Sequence, residues 1–134
     1  TSLGAAPLAS PTFTGTVTTS TISNSGSITA KNYVITVPSA TTAAATTSID
    51  LSTGNIFKIN LGANITTLSL SNALVGTYIL EFIQGGTYTV TFPTTNWKWS
   101  GGSAPTITAT SGKTDIVTIV YDGTTYFASA VQNF

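Results

Sequence analysis

From residue 48 onward, apolar and polar side chains alternate with the period of a strand that buries one face. Phe57, Ile59 and Leu61 share one side of the first such stretch, and Leu68 and Leu70 follow in the next. Residues 77–83 set Tyr78, Leu80 and Phe82 against Ile79, Glu81 and Ile83. Tyr88, Val90 and Phe92 then alternate with Thr87, Thr89 and Thr91, and Pro93, which has no N–H for a ladder, ends the run. Residues 106–109 make a shorter candidate strand. Residues 115–121 are apolar on both sides, Ile116 and Val120 against Val117, Ile119 and Tyr121, as in a central strand covered twice. Gln84-Gly85-Gly86-Thr87 and Asp122-Gly123 read as hairpin turns, because Gly tolerates the positive φ such turns need. Residues 124–131 return after the second. No segment sustains a helical period. The expectation is an all-β fold, an antiparallel β-sandwich of jelly-roll type, over residues 48–134.

The first 47 residues differ in character. They are mainly Ala, Thr, Ser and Gly, with Pro7 and Pro11 biasing their predecessors toward extended backbone. Residues 13–18 and 28–37 are β-prone, the latter setting Tyr33, Ile35 and Val37 against Val34 and Thr36. Residues 39–47 read as a connection to the main domain. This stretch has too few large apolar side chains for a core of its own, yet lacks the charge of a disordered tail. It is expected to be an extended β-arm that completes its core in another chain, serving trimerisation and anchoring.

Composition sharpens that expectation. Charged residues are 6% of the chain, four Lys against four carboxylates, with no Arg. Thr and Ser supply about a third of all residues and take the exposed strand positions that Lys and Glu usually fill. A neutral surface this poor in charge has little protection against association, which suits a surface covered by sister subunits or a larger particle. A simply soluble, secreted Thr-rich domain is the alternative. Four scattered Lys do not form a nucleic-acid footprint. No apolar run reaches the length of a membrane helix, so no membrane insertion is expected. The lack of Met fits either a short protein that has lost its initiator or a piece of a longer fibre.

The candidate chemistry is thin. Without Cys or His there is no thiolate site and none of the commonest general base. Asp50, Glu81, Asp115 and Asp122 are not brought together as a carboxylate pair by local spacing, nor concentrated as in a calcium loop. Asp122 is read as bonding the backbone of its own turn, and Asp115 and Glu81 as pairing with Lys. No catalytic residue, cofactor or metal ligand is assigned, and the chain is not expected to be an enzyme. The distinctive segment is Asn96-Trp97-Lys98-Trp99-Ser100-Gly101-Gly102. If extended, it sets both Trp on one face and Lys98 on the other. The pair could form a stacking platform for a sugar, or pack in the core or at a subunit contact. Tyr126 after the Asp122 turn invites the same two readings, so Trp97, Trp99, Lys98 and Tyr126 are the candidate glycan or partner contacts.

Two stretches resemble bacteriophage proteins. Ala6-Pro7-Leu8-Ala9-Ser10-Pro11-Thr12-Phe13-Thr14-Gly15-Thr16-Val17 is similar to a segment that recurs in tail fibres. From Val90 onward the chain resembles a C-terminal β-domain of phage fibre and virion proteins. The resemblance lies in Thr89-Val90-Thr91-Phe92-Pro93, Lys98-Trp99, Gly101-Gly102-Ser103-Ala104-Pro105-Thr106, Lys113-Thr114-Asp115, Tyr121-Asp122-Gly123-Thr124 and the ending Val131-Gln132-Asn133-Phe134. The preceding Gly54-Asn55-Ile56-Phe57 and Asn64-Ile65-Thr66 to Leu70 fit the same pattern. Ser100 departs from it, since that pattern commonly has Pro after the Trp. The resemblance implies a trimeric appendage on the virion surface, often recognising the host surface, and fixes no binding residue. Three roles are then expected to compete: a tail-fibre tip that binds a host glycan, a capsid knob or decoration protein whose arm contacts other virion proteins of capsid or tail, and a free carbohydrate-binding module.

Overall fold

The computed structural model describes residues 14–16, 18, 21–23, 25–32 and 34–134. The chain divides into two units, Thr1–Tyr33 and Val34–Phe134. In the first, every described residue is exposed and none is in a strand. The β-prone stretches 13–18 and 28–37 therefore form no strand at their described positions, while Phe13, Val17 and Tyr33 lie outside the described residues. Extended segments need a partner to become strands, and these have too few large side chains to hold one.

The second unit contains β1 (Thr41–Thr42), β2 (Thr46–Asp50), β3 (Ile56–Leu61), β4 (Thr67–Ser71), β5 (Gly76–Gln84), β6 (Trp97–Trp99), β7 (Thr114–Tyr121) and β8 (Tyr126–Val131). A 3-10 turn, Leu51–Thr53, joins β2 to β3 and is capped by the Asp50 carboxylate, which accepts from Ser52 N–H at 3.0 Å. Residues 39–47, read as a connection, instead contribute β1, the start of β2, and the buried Ala43 and Thr47. Upstream, residues 36–38 pass so close to Gly54 that a Cβ there would lie 2.5 Å from the Thr36 carbonyl oxygen.

The chain is nearly all β, as expected, but the antiparallel arrangement is corrected. Six strands form a mixed sheet in the order β1-β3-β5-β7-β8-β6, and β2 and β4 form a second. The pairs β1–β3, β3–β5, β2–β4 and β6–β8 are parallel, while β5–β7 and β7–β8 are antiparallel. The reason lies in the connections. Each short link from β1 to β5 carries the chain into the other sheet rather than back beside the strand it has left. The next strand of the same sheet is then reached after a full circuit, pointing the same way.

The turn at Gln84-Gly85-Gly86-Thr87 shows this directly. It is not a hairpin, because residues 88–92 do not pair with β5; Val90 bridges to Ile65 in parallel. Gly85 is needed for a different reason than positive φ. Its N–H donates to the Leu61 carbonyl at 3.0 Å, and a Cβ would sit 2.6 Å from that oxygen. The buried Gln84 side chain holds the departing segment. Its Nε2 donates to the carbonyls of Tyr88 (2.8 Å) and Thr108 (2.9 Å), and its Oε1 accepts from Tyr88 N–H at 3.1 Å. The second turn is a hairpin as expected: Tyr121 faces Tyr126, and Asp122 Oδ1 accepts from the N–H groups of Thr124 and Thr125.

Alternation placed the core correctly. Phe57, Ile59, Leu61, Leu68, Tyr78, Leu80, Phe82, Phe92, Val117 and Ile119 are all buried in one cluster shared by both sheets. Two readings of the later strands change. Residues 106–109 form no strand, although Ile107 is buried. β7 is not covered twice, since Val117 and Ile119 are buried while Val120 is 50% exposed.

Asp115 is also reassigned, because it does not rely on Lys. Its Oδ2 accepts from Thr108 N–H (2.6 Å) and Gln132 Nε2 (3.0 Å), and its Oδ1 from Asn133 N–H (2.9 Å). It therefore ties the 106–109 segment and the C-terminus to the start of β7. Burial pushes its pKa up, but the bonds from Thr108, Asn133 and Gln132 together outweigh burial and leave it below the ordinary 3.8.

Two outcomes are expected. Gln84→Ala strands three backbone groups in the interior and should cost about 2–3 kcal/mol, read as a lower urea midpoint. Asp115 binds its proton more weakly folded than unfolded, so its contribution is present above 3.8 and lost as pH falls below that value. Thermal melts should show Asp115→Asn well below wild type at neutral pH, with the gap narrowing as pH falls below 3.8; a gap independent of pH would contradict the assignment.

Candidate binding cleft

β6 is short and aromatic, and its position follows from bonds at both ends. Asn96 adopts a left-handed φ of 61° and its carbonyl accepts from Tyr126 N–H at 2.8 Å. Ser100 N–H donates to the Ala128 carbonyl, and Gly102 N–H to the Trp99 carbonyl. The turn at Gly101 and Gly102 has φ of 80° and 87°, which Gly adopts without strain. β6 is thereby laid parallel to β8, with Trp97 beside Tyr126, Lys98 beside Phe127 and Trp99 beside Ala128.

The period of two then sorts the candidates. Trp97 and Trp99 share the inner face, as the sequence predicts, and stack at 5.4 Å between ring centroids. Tyr126 stacks on the far side of Trp97 at 5.3 Å, and Tyr121 on Tyr126 at 4.3 Å. Phe92 meets Trp99 edge-on at 4.8 Å and Phe82 at 5.6 Å, which anchors the stack in the core. Burial pushes the Tyr126 phenol pKa up, and the neighbouring Tyr121 and Tyr78 add to the shift.

Exposure separates the roles within the stack. Trp97 is 7% exposed, so its rings are filled by neighbours and offer no platform. Trp99 is half-buried and borders an open cleft of about 310 Å³. One side of the cleft is Phe92, Pro93 and Thr94, and the other is Gly102, Ser103 and Ala104. Lys98 lies on the opposite face of the sheet, beside a second groove that it lines with Trp99, Phe127 and Ser129. Trp97, Trp99 and Tyr126 are thus brought together by stacking, and Lys98 joins the group only where it and Trp99 line that second groove.

The cleft is apolar at its base, with the hydroxyls of Thr94 and Ser103 among its lining residues. Such a site can take a small ring with one apolar face and polar edges. Sequence reasoning passed over Pro93, Thr94 and Ser103, which carry no pattern of their own. The resemblance includes Pro93 and Ser103 but not Thr94. Among the described residues, no three His, Cys, Asp or Glu side chains cluster as metal ligands would. No family model, curated protein or solved structure matches the chain.

The two Trp should respond differently to truncation. Trp97→Ala removes the middle of the stack and should cost about 3–5 kcal/mol, whereas Trp99→Ala, at the open end, should cost about half of that. Chemical denaturation measures both; equal losses would show that Trp99 is as much a core residue as Trp97.

Proposed function

We propose that the chain is a non-enzymatic structural protein of the bacteriophage surface, a trimeric β-sandwich appendage that contributes to host attachment. The observation that carries this reading is the set of sequence stretches resembling phage fibre and virion proteins, at residues 6–17, 54–57, 64–70 and from 89 onward. The scarcity of charge supports it, since a surface with so few ionisable groups suits close packing among copies. In this reading the segment that precedes β1 anchors the trimer to other virion proteins of capsid or tail.

Attachment is assigned to the cleft beside Trp99. Part of the indole is available to the apolar face of a host-surface pyranose, and the Thr94 and Ser103 hydroxyls can bond its edges. Trp97 and Tyr126 back Trp99 from within, and Lys98 is not part of the contact.

The purified full chain should sediment as three copies at about 10 μM and bind cells susceptible to the phage. Trp99→Ala should lower cell binding about tenfold or more, and Lys98→Ala should leave it unchanged. A single-chain mass would overturn the trimeric reading. A trimer that ignores the cells would remove the attachment role and leave a capsid knob or decoration protein.

A further inference from the structure

The six-stranded sheet buries one face and leaves the other bare. On the bare face, register sets Val120 beside Phe127 and Ile116 beside Val131 across β7 and β8. Glu81 lies on the other flank of Ile116, with Lys58 beyond it on β3. Val120 is 50% exposed, Phe127 48% and Val131 61%. On this face Thr118 and Ser129 pair between the Ile116–Val131 and Val120–Phe127 pairs, so apolar and hydroxyl side chains share it. Exposed apolar side chains gathered on one sheet face mark a contact site.

We propose that this outer face is the interface between copies of the chain, each sheet turned inward on the same face of its neighbours. The inference rests on the reading that the chain assembles with itself, and adds which surface does so. Area is one argument. Five strands about 4.8 Å apart and some six residues long at about 3.3 Å each span roughly 500 Å² in projection, a face broad enough to lie against two neighbouring copies about a threefold axis. Charge is the second. Lys58 and Glu81 are direct neighbours in register, leaving only Lys98 at one corner, so the face can meet a copy of itself without opposing blocks of like charge. At that corner a groove of about 320 Å³ beside Phe127 and Ser129 has room for a side chain from the facing copy. Sheet faces of this kind pack about 10 Å apart, which would complete the second cover that β7 lacks.

The absence of Cys permits a direct test on the full chain. Ser129→Cys on the outer face should crosslink between chains through a short bismaleimide, and Ser69→Cys on the exposed side of β4 should not. Val120→Lys combined with Phe127→Glu sets opposite charges side by side, so the fold is retained, and should weaken assembly about 100-fold by sedimentation. A folded double variant that still assembles, or crosslinking at residue 69 in place of 129, would overturn the proposed face while the trimeric reading stands. A wild-type chain that stays single at about 100 μM would overturn both. Should the double variant fail to fold, the crosslinking pattern decides.

Discussion

β5 is bonded in parallel to β3 on one flank and antiparallel to β7 on the other, with Leu80 and Phe82 fully buried on its inner face. The strands before it, β1 to β4, alternate between the two sheets, and those after it, β6 to β8, complete the larger one. The end of this strand is where the chain must leave without a hairpin, and the Gln84 side chain supplies the bonds a hairpin ladder would have supplied. Asp115 performs the matching task at the start of β7. Two buried polar side chains thus join segments that no strand pairing joins. Their value is conformational, since each satisfies backbone groups that would otherwise be stranded in an apolar interior.

The aromatic stack depends on the same frame. Phe82 on β5 meets Phe92, Phe92 meets Trp99, and Trp99 lies against Trp97 on the Tyr126 ladder. The aromatic base of the cleft beside Trp99 is therefore fixed by packing, with loop residues 93–94 and 102–104 forming its sides, which suits contact with a rigid ring. The two faces of the sheet then have separate uses. Trp99 belongs to the inner face at its open end, while Lys98, one residue away, belongs to the outer face proposed to meet other copies.

Much of the core was legible in the chain itself because strand burial has a period of two. Tyr78, Leu80 and Phe82 are buried as the alternation predicts, and Thr87, Thr89 and Thr91 are exposed opposite Phe92. The Asp122-Gly123 hairpin was legible because its turn is made of local bonds from Asp122 to the following N–H groups. The Gly85-Gly86 turn misled, since a pair of glycines signals a close passage of backbone without saying which backbone passes. Here it is the Leu61 carbonyl, from a strand distant in sequence. Asp115 misled similarly, because its partners at Thr108 and Asn133 come from segments with no periodic pattern.

By itself, then, the sequence determined that the main body is built of strands, which side of each main strand is apolar, and that Trp97 and Trp99 lie on the same side. These follow from bond geometry within a few residues. The direction of pairing, the split between a buried Trp97 and an accessible Trp99, and the bare outer side of β7 were decided by tertiary structure alone. Each depends on which distant segment arrives beside which, and local alternation holds no information about that.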